Sequence, residues 1–510
     1  MSVKKIVDRL YPIIVMTVFL AVFSMIVSKF FIPKVILMSG EFPYPTEEYT
    51  ASKIGVVIVA TLLLFALFFM YYKWVINKMK RTYTNIMITL GIISILVVEI
   101  FITSIAFNPV VGDYAILKQG IVSVFNGDNQ FLEMGQLLFY PYNTHIVLLG
   151  GYFSKLIGSV DLAIKILPIV CITGSIILNV LIVRKITNFK VAHISIVLSV
   201  LNIFIYWQAP VFYTHTLVIF FISATMYTYL CLKTAETKRM QIILWILLGV
   251  FAACTYIIRP TALAVALAIL IENILKFRKG YSVKVLSSVV FCLILIVSFK
   301  GITTKLNLST DNEIEKIPYT HWVKMGLNKD TYGVWNQADA DYIDDENIKN
   351  TKDLNEHNKE VIVQRFNELG VMGYVQHLNE KITREWVSSQ FSMYRIGQWF
   401  EQKNDKVTNF VSNYSTTKYE IVTIYSYVIK LFVYIAVMAA VILYTKKDEK
   451  ESEVIRIAMI STLGVFTFLL LWETAPHYTY EAFAFMNIPA SLGLYKLFTI
   501  VTKDKHGQFE

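Results

Sequence analysis

The chain has 510 residues, of which 55% are hydrophobic and 16% charged, against about 25% charged in soluble domains. So much apolar surface cannot be hidden in one aqueous core, which excludes a soluble globular protein and makes a lipid bilayer the solvent for much of the chain. The formal charge of +10 is spread as short Lys and Arg clusters between apolar runs, the pattern of topology determinants and not of a nucleic-acid patch.

Lys4, Lys5 and Arg9 precede an apolar run from Leu10 to Val27. That run is longer than a signal-peptide h-region and shows no small-residue cleavage site, so it reads as a retained first span, near 10–28. Eleven more runs of spanning length follow near 54–76, 86–108, 163–183, 191–208, 211–232, 241–258, 261–276, 283–301, 420–444, 454–473 and 480–501. Basic connectors separate them: Lys78, Lys80 and Arg81; Arg184, Lys185 and Lys190; Lys233, Lys238 and Arg239; Lys276, Arg278, Lys279 and Lys284; Lys446, Lys447 and Lys450; Lys503 and Lys505. Placing all of these in the cytoplasm requires an even number of spans with both termini inside, and twelve fits. The expected fold class is an all-α polytopic membrane protein. Cys171, Cys231, Cys254 and Cys292 all lie in apolar runs and form no CxxC, so neither a disulfide nor a thiolate metal site is expected.

This pattern divides the chain into two N-terminal spans (1–85), a membrane core (86–301), a large outer loop (302–419), and C-terminal spans with a short tail (420–510). The core includes a first outer loop at 109–162. Within it, residues 142–159 resemble a short span, yet counting a thirteenth would invert the basic connectors around it. Gly150, Gly151, Ser154 and Lys155 interrupt the run, which fits an amphipathic helix at the outer interface. The 302–419 loop is too long for a structureless connection and is expected to fold as a small α or α+β domain outside the membrane. Its apolar residues recur at helical spacing around 354–385 (Val361, Ile362, Phe366, Leu369, Val375, Leu378, Ile382). No internal repeat of the kind found in two-fold transporters is visible.

Chemistry-bearing residues gather at the ends of spans. Asp113 lies just after the third span, at the outer boundary, where a carboxylate can deprotonate an acceptor hydroxyl. From position alone the plainer reading is a solvated acid at the start of the helix that begins at Tyr114. Arg259, before Pro260 at an outward turn, suits a lipid phosphate through its two-toothed guanidinium or, as the plainer alternative, snorkels to membrane phosphates. Glu473 is an acid at the edge of a late span, where it needs a polar partner; Arg259 is one candidate. In the large loop Trp322 offers either a stacking face for a sugar or a core side chain.

Several short motifs share one likeness. They are Asp113-Tyr114 with Ala115 and Gly120, the Tyr140-Pro141-Tyr142-Asn143 turn, Gly158, Gly249 through Ile258-Arg259-Pro260-Thr261, and Trp472-Glu473 followed by His477-Tyr478 and Pro489. Together they resemble the GT-C superfamily of membrane glycosyltransferases, in the style of its dolichyl-phosphate-mannose-protein-mannosyltransferase-like group, over about 75–475. The resemblance implies a polyprenyl-phosphate-linked sugar donor, an extracytoplasmic glycan or protein acceptor, and inverting displacement. It makes Asp113 the catalytic base and Arg259 the holder of the leaving phosphate. Tyr114, Tyr213, His215, Glu473, His477, Tyr478 and Trp322 become substrate-contacting candidates.

Two positions depart from that pattern. His215 stands where the family often has an acid, and His477 where it has an arginine. The pair reads either as a titratable replacement for a charged pair or as the mark of a degenerate site. No metal site is assigned; whether a divalent cation is needed stays open, because members of the superfamily differ. No nucleotide-sugar domain is visible. The Lys-, Ile- and Asn-rich composition suits the plasma membrane of a Gram-positive bacterium, with cell-wall polysaccharide, teichoic acid or surface protein as acceptor. A lipid-linked-sugar transporter or a non-catalytic scaffold are the competing readings.

Overall fold

The computed structural model describes residues 3–37, 46–128, 137, 143–276, 279–305, 317–340, 350–389, 391, 400–402, 409–410, 416–444 and 449–502. The Tyr140–Tyr142 part of the turn and the connectors Arg278, Lys446, Lys447, Lys503 and Lys505 lie outside them. In the membrane body the helices are α1 (Val3–Ser28), α2 (Ala51–Trp74), α3 (Arg81–Ile105), α4 (Gly112–Asn126), α5 (Thr144–Ile157), α6 (Val160–Ile186) and α7 (Phe189–Leu201). They continue with α8 (Ile203–Gln208), α9 (Thr214–Thr234), α10 (Lys238–Ile258), α11 (Ala264–Leu275) and α12 (Lys279–Lys305). The large loop supplies α13 (Thr320–Gly326), α14 (Gln337–Ala340) and α15 (Thr351–Ile382). The chain ends in α16 (Thr417–Leu443), α17 (Glu449–Leu471), α18 (Tyr480–Phe485) and α19 (Asn487–Thr502).

Every apolar run read from the sequence is helical over most of its length. Eight helices are long and apolar enough to cross a membrane, among the described residues. Three more are shorter (Phe189–Leu201, Pro260–Leu275 and Val285–Phe299), and the last run is a pair bent by 52° between Phe485 and Asn487. Short polar side chains start several of them. Thr50, Ser159 and Thr237 each accept from a backbone N–H three residues on, satisfying a donor that the helix itself leaves open. The outer faces of α2 and α3 expose Leu62, Leu63, Leu67, Val97 and Phe101. In water such a surface would aggregate; in lipid it is the natural boundary.

Several buried ionisable groups inside the bundle have polar partners, which offsets the cost of burial. Arg456 of α17 grips Glu272 of α11 through Nε and Nη2, at 2.6 Å for the shortest bond. Tyr11 of α1 donates to the same carboxylate. Lys233 and Tyr229 of α9 both reach Glu453 at 2.6 Å. Glu99 of α3 takes a 2.7 Å bond from Thr173 of α6.

Of the segment at 142–159, Thr144–Ile157 forms the 14-residue helix α5, about 21 Å long at 1.5 Å per residue, short of a ~30 Å hydrocarbon core. Its glycines are a packing surface more than an interruption. A Cβ on Gly150 would lie 2.7 Å from Ile121 Cδ1, and one on Gly151 2.3 Å from Val124 Cγ1. Side-chain-free positions are thus what let α4 cross α5 closely.

Two antiparallel two-stranded pairs complete the architecture. β1 (Lys34–Leu37) pairs with β2 (Thr46–Tyr49), between the first two spans. β3 (Ala106–Pro109) pairs with β4 (Phe400–Gln402), with a bulge between Ala106 and Asn108. This second pair ties the chain just before α4 to the large loop. That loop docks further through a π-helical turn, Thr383–Val387, which extends α15, and through Trp322, which stacks on Trp472 at 5.0 Å.

Candidate functional site

Asp113 lies in the first turn of α4, after the N-cap Val111, so its charge complements the helix N-terminus. It is half-buried and takes a 3.1 Å bond from the Tyr213 hydroxyl. Tyr114, buried beside it, packs edge-on against Tyr213 at 5.5 Å and against Phe400 of β4 at 5.6 Å. Tyr213 is itself the N-cap of α9. Its extended backbone leads into α9, whose second residue is His215.

From there the contacts continue without a gap. His215 is buried, its Nε2 is 2.9 Å from Gln208 Oε1, and its ring is 5.2 Å from that of His477. Pro476 opens the 3₁₀ turn that presents His477 and Tyr478. Tyr478 donates to Glu473 at 3.0 Å. The Arg259 guanidinium stands 5.1 Å from the centre of the Tyr478 ring, a cation–π distance.

Arg259 caps α10 in extended conformation because Pro260 follows it. Its Nε pairs with Glu481 at 2.7 Å and its Nη1 donates to Thr214 at 3.3 Å. The partner left open in the sequence is therefore Glu481 for Arg259 and Tyr478 for Glu473. All the singled-out residues except Trp322 belong to one continuous chain of contacts: Asp113, Tyr114, Tyr213, His215, His477, Tyr478, Glu473 and Arg259. Trp322 is buried against Trp472, the residue before Glu473, so its indole face is already covered by another ring.

Sequence reading missed three participants. Glu481 is an acid inside an apolar run, which the rule that intramembrane charges are functional would have flagged. Lys381 and Glu385 carry no such signal, because they sit in a polar loop. Lys381 donates to the carbonyls of Gly326 (3.0 Å) and Trp472. Burial pulls its amine down to about 8, against the pull of Glu385 and Glu473. Burial likewise pushes the Glu385 carboxyl well above the usual carboxylate range, with Lys381 opposing. No group of three His, Cys, Asp or Glu side chains is arranged to hold a metal ion among the described residues.

Fold and site together define a polytopic, helical integral membrane protein with a polar, aromatic-lined cluster at one end of the bundle. The chain belongs to the family described as conserved hypothetical integral membrane protein, whose model matches residues 3–476. No curated protein matches. Among solved structures, the archaeal oligosaccharyltransferase AglB from Archaeoglobus fulgidus, in complex with an inhibitory peptide and a dolichol-phosphate, is similar at 12% identity and a TM-score of 0.38. The match covers 81% of this chain and 50% of that one, so this chain spans about half the length of the structure it matches.

Proposed function

We propose that this protein is a GT-C-type membrane glycosyltransferase, moving a sugar from a polyprenyl-phosphate donor to an extracytoplasmic acceptor. The observation that carries the reading is the contact chain from Asp113 to Arg259. It sets a half-buried carboxylate and a guanidinium in one cluster, joined by aromatic and imidazole rings. In this reading Asp113 takes the proton of the acceptor hydroxyl as that oxygen attacks the anomeric carbon. The bond from that carbon to the phosphate oxygen breaks on the opposite face, and the lipid phosphate leaves with the electron pair. The Tyr213 hydroxyl holds the Asp113 carboxylate in place, and Arg259, aligned by Glu481, neutralises the departing phosphate.

His215 and His477 then replace a charged pair by two adjoining imidazoles, tilted at 48° to each other, a change suited to altering sugar or lipid preference. The cluster and the 302–419 loop face outward in the plasma membrane, with α5 at the outer interface and both termini in the cytoplasm. The acceptor is a cell-envelope glycan or a surface protein.

Asp113→Asn tests this. In cells making the variant at wild-type level, one surface sugar should disappear from the glycan mass spectrum. Turnover in proteoliposomes should fall by roughly 10²–10⁴, the usual weight of a general base. Unchanged glycans in that variant, alongside altered glycans when the whole gene is deleted, would assign the protein to transport or scaffolding instead.

A further inference from the structure

A cavity of about 780 Å³ opens where two connectors, remote from each other in sequence, converge. One joins α2 to α3 and brings Lys78, Lys80 and Arg81. The other runs from the last turn of α6 into α7 and brings Arg184 and Lys190. Chain direction fixes the place of the cavity. α3 starts beside it at Arg81 and runs 25 residues to Ile105, where β3 leads on to Asp113. The cavity therefore lies at the opposite end of α3 from the candidate site, about 37 Å away along the helix.

All five charges in the lining are positive. Among the described residues, none of the five forms an ion pair. Two are held by neutral oxygens instead: Arg184 Nη1 donates to Asn85 Oδ1 at 3.4 Å, and Lys190 Nζ to Asn77 Oδ1 at 3.0 Å. Such bonds set a direction without neutralising the charge. Lys80 precedes α3 without a side-chain cap, so the first N–H groups of that helix add to the positive field. Topology alone asks for basic residues in a connector, not for two connectors to converge on one cavity. Like charges brought together repel, and a bound polyanion relieves that repulsion. The flanking aromatics give the depth. Trp74 at the end of α2 and Tyr83 in the first turn of α3 are exposed, as such rings are at the headgroup level of a bilayer.

We infer that this cavity binds an anionic membrane lipid whose headgroup carries two phosphates, of the diphosphatidylglycerol type. One phosphodiester meets Lys78, Lys80 and Arg81, the other meets Arg184 and Lys190, and the glycerol between them bridges the two connectors. The acyl chains run along the apolar face of α3, where Ile86, Met87 and Leu90 are exposed. A soluble diphosphate shares the headgroup chemistry. Trp74 and Tyr83 favour the lipid, because they set the cavity at the depth where lipid phosphates lie.

The test is native mass spectrometry of the full-length, delipidated protein in detergent, titrated separately with diphosphatidylglycerol, phosphatidylglycerol and inorganic pyrophosphate. One diphosphatidylglycerol should bind, about tenfold more tightly than phosphatidylglycerol, the value of one further charge-assisted contact. Arg184→Gln/Lys190→Gln should remove that preference. Lys78→Gln/Arg81→Gln, at two exposed positions, should do the same and serves if the first pair does not fold. Lys73→Gln/Lys185→Gln takes two charges from the same helix ends but outside the lining, and should leave the preference intact. Equal affinity for the two lipids in the wild type overturns the two-phosphate assignment. Equal losses in the lining and non-lining variants overturn the site, because the attraction would then be diffuse. Pyrophosphate bound as tightly as the lipid would make the ligand soluble and overturn the lipid. None of these readouts depends on catalysis.

Discussion

The Arg259–Glu481 pair joins a stabilising role to a chemical one, and its two sides can be separated. Glu481 is buried and Arg259 only slightly exposed, so removing the cation alone leaves Glu481 uncompensated, at a cost of about 3–5 kcal/mol. Arg259→Gln should therefore lower the melting temperature more than the double variant Arg259→Gln/Glu481→Gln does, because the second change removes the stranded charge. If the proposed role is right, donor binding stays lost in both. A double variant no more stable than the single one would show that the pair carries no such burden. A second residue-scale prediction concerns Asp339 of the large loop. Arg365 grips it at 2.6 and 3.0 Å, and Asn328 and Asn336 also donate to it. Burial alone would raise its carboxyl, yet these bonds hold it near 2, below the ordinary 3.8. The unfolded chain then takes up the proton first as pH falls. The contribution is complete above about pH 4 and is lost toward pH 2. Asp339→Asn should lower stability by about 1–3 kcal/mol at neutral pH and flatten the melting temperature across that acidic window.

Elements meet where side chains are absent. A Cβ on Gly493 of α19 would stand 1.9 Å from the Ala436 carbonyl of α16, and one on Gly326 2.5 Å from the Trp472 carbonyl. Backbone cannot retreat from such an overlap as a flexible side chain can. Gly493→Ala should force α16 and α19 apart and cost about 3 kcal/mol, the upper end for overpacking, read as a fall in detergent melting temperature. A change below 0.5 kcal/mol would mean that the two helices do not cross so closely. The same logic corrects how Gly150 and Gly151 read in the sequence. They looked like breaks in an apolar run, but a glycine that breaks a helix and one that admits a neighbour are identical in sequence. The difference lies in the facing Ile121 and Val124, which are remote in the chain.

At the scale of the molecule, the proposed topology rests on charge distribution. Lys329 in the large loop and Glu236 between α9 and α10 should lie on opposite sides of the membrane. Single cysteines at those positions, in intact cells treated with a membrane-impermeant maleimide, should label at 329 and not at 236. Equal labelling would overturn the outward placement of the loop. The helices, and most of the residues in the contact chain, were legible because they announce themselves locally. Apolar runs have a length, and Asp113, Arg259, Glu473 and His477 sit where such runs end. The Lys381–Glu385 cluster was not legible, since a lysine and a glutamate four apart on a polar helix look like any solvated pair. Only the docking of α15 and its π-turn onto Gly326 and Trp472 buries them.

The pairing of β3 with β4 bears on how this protein can be recombined with its relatives. Residues 106–109 and 400–402 are nearly three hundred positions apart, yet they complete each other's backbone hydrogen bonds. Exchanging the outer loop at its apparent borders would graft a strand onto a foreign edge and leave its native partner behind. Chimaeras that carry both strands from one parent should express, and those that split them should not. The exchangeable unit is thus discontinuous, and it includes the four residues that lead into Asp113.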